Sequence, residues 1–519
     1  MIAHKKRSPR SLPALALAAL TASLVLFSCG SSGREEASAG NHIIVANFAE
    51  TQTMDPRAVE DIASHWINNQ IYDGLVQRTD DRGVQPALAE SWTFLDDRTL
   101  EFQLRQGVLF HNGEEFTARD VQYTLETLLD PEAGFAGRSR LAMIDVAGIE
   151  VIDDYTIRIP TREPFAAILT YLAHSSALII NKAAAEEEGR NFGANPVGTG
   201  PFKLSRWDRG TAVHLERFDQ HWRGPAQVEK LTFRGIPEDS SRTIELETGG
   251  VHVAQRIPET DLRRIRENSD TVLHEYAAMR LNYILFNTQR PPFDDLRVRQ
   301  AISYALDTDL LAQVAYGDSG IPARGYMNSS IWAFNPDVYR YDQDLEKARQ
   351  LLEQAGYGDG FAVTMTIDDN PARRTLAEIL GNQLRELGIT MSIEIMEWGA
   401  YLQRTAAGEH QMAQLAWLAS TGDPHHALYP NYHSRNIGAA NRSHTNLPEL
   451  DALLQAGVTE GDTEARLQIY REAQEIIARH APIIPVSDDR EAVGIRANLR
   501  GFIPSPSGYH LFHGVGFAE

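Results

Sequence analysis

At 519 residues the chain exceeds what one hydrophobic core organises, so two or three domains are expected. Apolar residues make up 43% and charged residues 23%, the balance of a soluble globular protein rather than a membrane bundle. A formal net charge of −21 argues against nucleic acid as a partner, because phosphate recognition needs a basic surface.

The N-terminus is a different material. "MIAHKKRSPR" carries Lys5, Lys6, Arg7 and Arg10 and no acid, and leads into the apolar run "SLPALALAALTASLVLF". A basic start, a short apolar core and small residues after it predict a secretory signal over residues 1–28. The run is shorter than the ~20 residues a spanning helix needs. Cys29, the only cysteine, follows at once in "LFSC". This resembles the lipobox of bacterial lipoproteins, which implies cleavage before Cys29, its acylation, and a membrane contact through lipid alone. Phe27 is bulkier than the residue usual two before that cysteine. Removing the four basic residues of the leader shifts the net charge from −21 to −25. No second thiol remains, so no disulfide can form within the exported chain. "GSSGREEASAG" then reads as a flexible tether over residues 29–41.

Short strands dominate the first half: "TLEFQLRQGVLF", "GIEVIDDYTIRIP", "VHLERF" and "KLTFRGIP" predict a mixed sheet with few helices. Between them, "PVGTGPF" (Pro196 to Phe202) is glycine-rich, but Pro201 has no N–H to offer a phosphate. It reads as a tight turn that needs glycine's backbone freedom.

Regular alternation of helix and strand begins near Asp344. "DLEKARQLLEQAGYGDG" places Leu345, Ala348, Leu351, Leu352 and Ala355 on one face, with Asp344 as N-cap and Gly356 as stop. "FAVTMTI" alternates as a strand. A second helix follows, with Leu376, Ile379, Leu380, Leu384 and Leu387 inward, and "ITMSIEIMEW" alternates again. Strand–helix–strand with short connections predicts a crossover unit in a parallel or mixed sheet. No repeat of solenoid period is present.

Catalytic signatures are absent from the sequence: no GxSxG elbow, HExxH pair, Walker loop or dinucleotide fingerprint. The expectation is a binding protein without a cofactor, not an enzyme. A hydrolase would need a nucleophile–base pair that the sequence does not display.

Five segments occur in an order that carries a resemblance. They are "VQPALAESWTFLDDRTLEFQLRQGVLFHNGEEFTARDVQYTLE", "PVGTGPFKLSRWDRGTAVHLERFDQHW", "PPFDDLRVRQAISYALD", "LEKARQLLEQAGYGDGF" and "HAPIIPV". The chain resembles the family 5 extracellular solute-binding proteins, the peptide and nickel receptors of bacterial ABC importers. "EWGAYLQRTAAGEHQ" looks most like the dipeptide-binding members. The resemblance implies an α/β clamp of mixed sheets with flanking helices: two lobes plus an extra domain. It implies a discontinuous domain I (42–72, 181–277 and 489–519), domain II (73–180) and domain III (278–488). Hinge closure would enclose a peptide-like solute and present one surface to the permease subunits. A monomer at the extracytoplasmic face of a bacterial membrane is expected. The alternative cargo is a nickel or other metal chelate, an oligosaccharide or another small solute.

By the same resemblance the loop after Trp417 lines the cleft. Peptide-binding relatives place an Asp three residues after this Trp, to pair with the peptide's α-ammonium; here that position is Ser420. Thr421 and Asp423 follow, and Glu50 in "NFAETQTMDP" is an acid that could compensate. Trp398, Tyr401 and Leu402 correspond to cleft-wall positions, and Trp offers a large, stiff apolar face. Trp398 and Trp417 are weighed against core packing. Asn282, in the crossing "RLNYILFN", and Ser487, near the other crossing, are further ligand positions. His425 and His426 are the metal-ligand candidates of the chelate alternative. On an extended chain, however, adjacent side chains point to opposite faces.

Overall fold

The computed structural model describes residues 41–59, 61–79, 83–506 and 509–518. The leader, Cys29 and nearly all of the tether lie outside the described residues. The described residues form one compact unit.

One sheet of eleven strands runs through this unit. At one end, Thr390–Met396 and Ala362–Asp368 pair in parallel, and Met412–Leu418 joins them. At the other end, His42–Asn47 pairs in parallel with Lys230–Gly235, followed by the antiparallel Ala212–Arg217 and Phe202–Asp208. Two long antiparallel strands, Thr271–Phe286 and Ile483–Arg496, join the halves. Their ladder breaks between Ala277 and Leu281, where the register shifts. Such a break bends and twists a strand pair, so it concentrates curvature at the crossing.

The apolar core is divided accordingly. One cluster gathers Ile43 to Tyr72, Leu178 to Val253 and Val493 to Val515. A second gathers Leu75 to Ile179 around the separate four-stranded antiparallel sheet Ala89–Phe94, Thr99–Leu104, Thr156–Pro160 and Glu150–Asp153; Val458 packs into it. Two further clusters occupy the two faces of the remaining strands, between Leu281 and Val486.

The region read as crossover units is one. The helix Leu345–Gln354 is capped by Asp344, whose carboxylate accepts from the Lys347 N–H, and it buries Ala348, Leu351 and Leu352. The helix Pro371–Leu384 buries Leu376, Leu380 and Leu384 between the two parallel strands. Ile395, on the edge strand Thr390–Met396, is 42% exposed.

The "PVGTGPF" segment differs from its reading in cause. Neither Gly198 nor Gly200 has a positive φ. Both are needed for closeness: a Cβ on Gly198 would lie 2.1 Å from the Ile71 carbonyl oxygen, and one on Gly200 2.5 Å from the Ile71 carbonyl carbon. The segment seals the end of the helix Ile62–Ile71 through Gly200 N–H donating to that oxygen at 2.8 Å.

Candidate functional site: the cleft at the strand crossings

The crossing strands floor a cleft of about 740 Å³. Phe48, Arg256 and Glu491 line it from the side of the first cluster, and Arg280, Tyr316 and Ala372 from the other. Its charges are paired in place. Arg280 donates to Asp489 at 3.0 Å, Arg256 lies 3.5 Å from Glu491, and Tyr276 donates to Glu491 at 2.9 Å. Asn282 belongs to this network: its amide donates to Ser487 Oγ at 3.1 Å and to Asp489. Both predicted crossing residues therefore brace the strands against each other.

Trp398 opens the helix Trp398–Ala406 and is 45% exposed. Its ring stacks on Tyr401 at 5.6 Å, and the Arg373 guanidinium sits 5.4 Å from its centroid. Arg373 is itself paired with Asp368 at 2.7 Å. Tyr401, read as a wall residue, has no exposed surface, and its hydroxyl donates to the Gln414 carbonyl at 2.8 Å. It backs Trp398 from the core. Leu402 is half-buried, and its carbonyl accepts from Arg442.

The loop after Met412–Leu418 is folded into a junction where the apolar clusters meet. Trp417 is half-buried and donates its indole N–H to the His426 carbonyl at 2.7 Å. Ser420 is 6% exposed, with Oγ 3.2 Å from His174 Nε2. The Tyr509 hydroxyl reaches the same His174 nitrogen at 3.0 Å. Across the junction Arg78 donates from Nη1 to the Ser420 carbonyl at 2.6 Å. Thr421 is buried, and its Oγ1 accepts from the Asp423 N–H at 3.3 Å.

Asp423 is a structural acid. It caps the helix Pro424–Tyr432 by accepting from the His425 N–H and takes both terminal nitrogens of Arg466, at 2.8 and 2.7 Å. Burial alone would push its carboxyl up, but Arg466 and the His425 contacts outweigh burial and hold it below the usual carboxylate range. Glu50 is exposed and lies against Gly210 and Gly235. Among the described residues no hydrogen bond or ion pair joins it to Ser420.

His425 and His426 lie on a helix, not on an extended chain. His425 Nδ1 pairs with the Tyr171 hydroxyl at 2.8 Å, and His426 Nδ1 faces the Thr421 N–H at 3.5 Å. Burial lowers them to about 4 and about 3, so both rings are neutral. Among the described residues no three His, Cys, Asp or Glu side chains group as a metal site.

Four residues of the junction carry no local sequence signal. Arg78 meets Ser420 across 342 positions, and Arg466 meets Asp423 across 43. His174 and Tyr509 sit in segments whose patterns speak only of packing.

Residues 83–439 match the bacterial extracellular solute-binding proteins, family 5. The chain is 30% identical over 484 residues to the heme-binding protein A of Haemophilus influenzae, covering 88% of each. It is 31% identical over 477 residues to the glutathione-binding protein GsiB of Salmonella typhimurium, covering 89% of this chain and 92% of that one. Among solved structures it resembles the ABC transporter-associated periplasmic binding protein DppA of Helicobacter pylori in complex with the peptide STSA. There the TM-score is 0.78 at 29% identity, over 92% of this chain and 98% of that one. A clamp of mixed sheets with a cleft at two strand crossings, and relatives that are binding proteins and not enzymes, agree: the chain belongs to the family 5 bacterial extracellular solute-binding proteins of ABC importers.

Proposed function

We propose that the protein captures a peptide-like solute in the cleft at the strand crossings and delivers it to the permease of an ABC importer. In this reading residues 42–72, 181–277 and 489–519 form domain I, 73–180 domain II and 278–488 domain III. The chain stays at the extracytoplasmic face, held as a monomer by lipid on Cys29. The observation that carries the cargo assignment is the lining of the 740 Å³ cleft: Arg256, Arg280, Asp489 and Glu491 converge on a space the size of a small ligand. A zwitterionic or charged peptide matches such walls better than an apolar macrocycle. The separate apolar clusters on either side of the crossing support hinge closure, because each side can move as a packed body. The glutathione-binding and peptide-complexed relatives support a peptide-like cargo.

Small-angle scattering and melting curves of the protein stripped of bound solute, with glutathione and short peptides added one at a time, test this. Compaction with a raised Tm for at least one of them is expected. Unchanged scattering and Tm across the panel would remove the peptide reading. Cys29→Ser should release the protein from the membrane fraction; continued membrane association would remove the lipid anchor.

A further inference from the structure

We propose that Arg256 receives a carboxylate of the solute in the cleft, with the Phe48 ring as the platform that holds its guanidinium. This deepens the peptide reading and rests on it for the nature of the rest of the ligand.

The backbone gives the first indication. Arg256 has a φ of 49° and is one of three non-glycine residues with a positive φ among the described residues. That left-handed region costs an ordinary side chain free energy that glycine would not lose. The conformation is pinned on both sides. The Gln255 N–H donates to the Ala46 carbonyl at 3.2 Å, and the Ile257 N–H to the Ala492 carbonyl at 2.9 Å. The buried Arg242 donates to the Gln255 carbonyl at 3.0 Å and to the Arg256 carbonyl at 3.1 Å. Strain held so firmly clusters at ligand clamps, and here the strained residue lines the 740 Å³ cleft.

The guanidinium is seated but not saturated. The parallel register that sets Ala46 beside Ala254 brings Phe48 next to Arg256, and the guanidinium carbon lies 3.8 Å from the Phe48 ring centroid. A guanidinium over a ring is attracted through its face, which leaves its N–H edge available. Glu491 is 3.5 Å away but divided, since it also accepts from the Tyr276 hydroxyl at 2.9 Å and lies 3.8 Å from Arg280. The other three arginines of the cleft each donate a hydrogen bond to a carboxylate: Arg242 to Asp239, Arg280 to Asp489 and Arg490 to Glu275. Among the described residues the Arg256 guanidinium donates none, although its side chain is only about one-third exposed. Burial, joined by the cations Arg280 and Arg242, pulls it below its ordinary value against Glu491 and Tyr276. An anion laid against the free edge offsets that loss, and a carboxylate fits the planar fork through two parallel hydrogen bonds.

Calorimetry decides it, with Met-Leu against Met-Leu amide and glutathione against its diethyl ester, on the wild type and Arg256→Gln. The wild type should prefer the free acid of a pair by about tenfold to a hundredfold, and Arg256→Gln should bring the acid down to the level of its blocked form. No preference in the wild type, or a preference that survives in Arg256→Gln, overturns the proposal; equal weakening of acid and blocked form is the second of these and would make Arg256 a brace. Arg256→Gly removes the fork and relieves the backbone, so it should lose the preference too while keeping the Tm of the unliganded protein; a lowered Tm with the preference intact overturns the proposal. Should Arg256→Gln fail to fold, Phe48→Leu keeps the charge and takes away the platform: a smaller preference supports the assignment, and an unchanged one overturns it. If no probe binds the wild type, the peptide reading fails by itself. Melting shifts with non-peptide carboxylic acids and their amides then decide the carboxylate. Acids that raise the wild-type Tm and not that of Arg256→Gln support it; stabilisation by the amides only, by both proteins' acids alike, or by none, overturns it.

Discussion

Arg466 holds Asp423 through both terminal nitrogens, at 2.8 and 2.7 Å, with both side chains almost wholly buried. The pair ties the long helix Thr463–His480 to the start of the helix Pro424–Tyr432, and so fixes the loop that carries Ser420. Arg466→Leu leaves the carboxylate buried with only the His425 N–H, and should cost about 3–5 kcal/mol in urea unfolding at pH 7. Asp423→Asn added to that variant should recover much of the loss, because a neutral amide still caps the helix. A double variant no more stable than the single one would show that the site tolerates no neutral pair. The wild-type pair should weaken only in strong acid: the folded carboxyl titrates below 3.8, so its contribution is complete above that value and fades as pH falls through the folded one.

Gly198 should be irreplaceable for steric rather than conformational reasons. Its absent Cβ would fall 2.1 Å from the Ile71 carbonyl oxygen, a backbone atom that cannot swing away. Gly198→Ala should cost roughly 1–3 kcal/mol through displacement of the packed helix end. A urea midpoint within error of the wild type would mean that the helix end yields freely.

Trp398 and Tyr401 should separate binding from stability. Trp398 is half in solvent, so Trp398→Ala should move the unfolding free energy by no more than about 0.5 kcal/mol. It should still weaken solute binding by roughly tenfold, as expected of a stiff aromatic wall. Tyr401→Ala removes a fully buried ring and should cost about 3–5 kcal/mol. Equal stability losses for the two would place Trp398 in the core instead.

These residues mark where the sequence is legible. Helices and strands between Asp344 and Trp398 follow from periodicity, because burial of one face is a local pattern. Trp398 and Tyr401 share a helix face three residues apart, so spacing alone pairs them but cannot say which is on the outside. The junction is less legible still. Ser420 stands out only through the motif around it, and its partner Arg78 comes from a strand 342 positions earlier. Asp423 looks like a ligand group until Arg466 is found folded onto it. Charge pairing is a tertiary property, and it decides which acids and cations remain for a solute.

Asp488 should make stability depend on pH at the crossing itself. Its side chain is 2% exposed and accepts from the Ser329 N–H at 3.0 Å. Burial, with a smaller contribution from Asp489 and against the Ser329 contacts, raises its carboxyl from 3.8 to about 6. Between those values the folded state keeps a proton that the unfolded chain has released. Stability therefore falls as pH rises through that window, and the penalty is complete above about 6. At two pKa units it amounts to about 3 kcal/mol at most. Asp488→Asn keeps an acceptor for Ser329 and carries no charge. It should be more stable than the wild type at pH 7.5, with the advantage shrinking to nothing near pH 4. The same variant should close the cleft more readily at neutral pH if the strained charge resists bending of the crossing strands, which scattering of the unliganded protein would register as compaction. A stability difference that stays constant from pH 4 to 7.5 would mean that Asp488 does not titrate in this window, and that the carboxylate is compensated at the crossing.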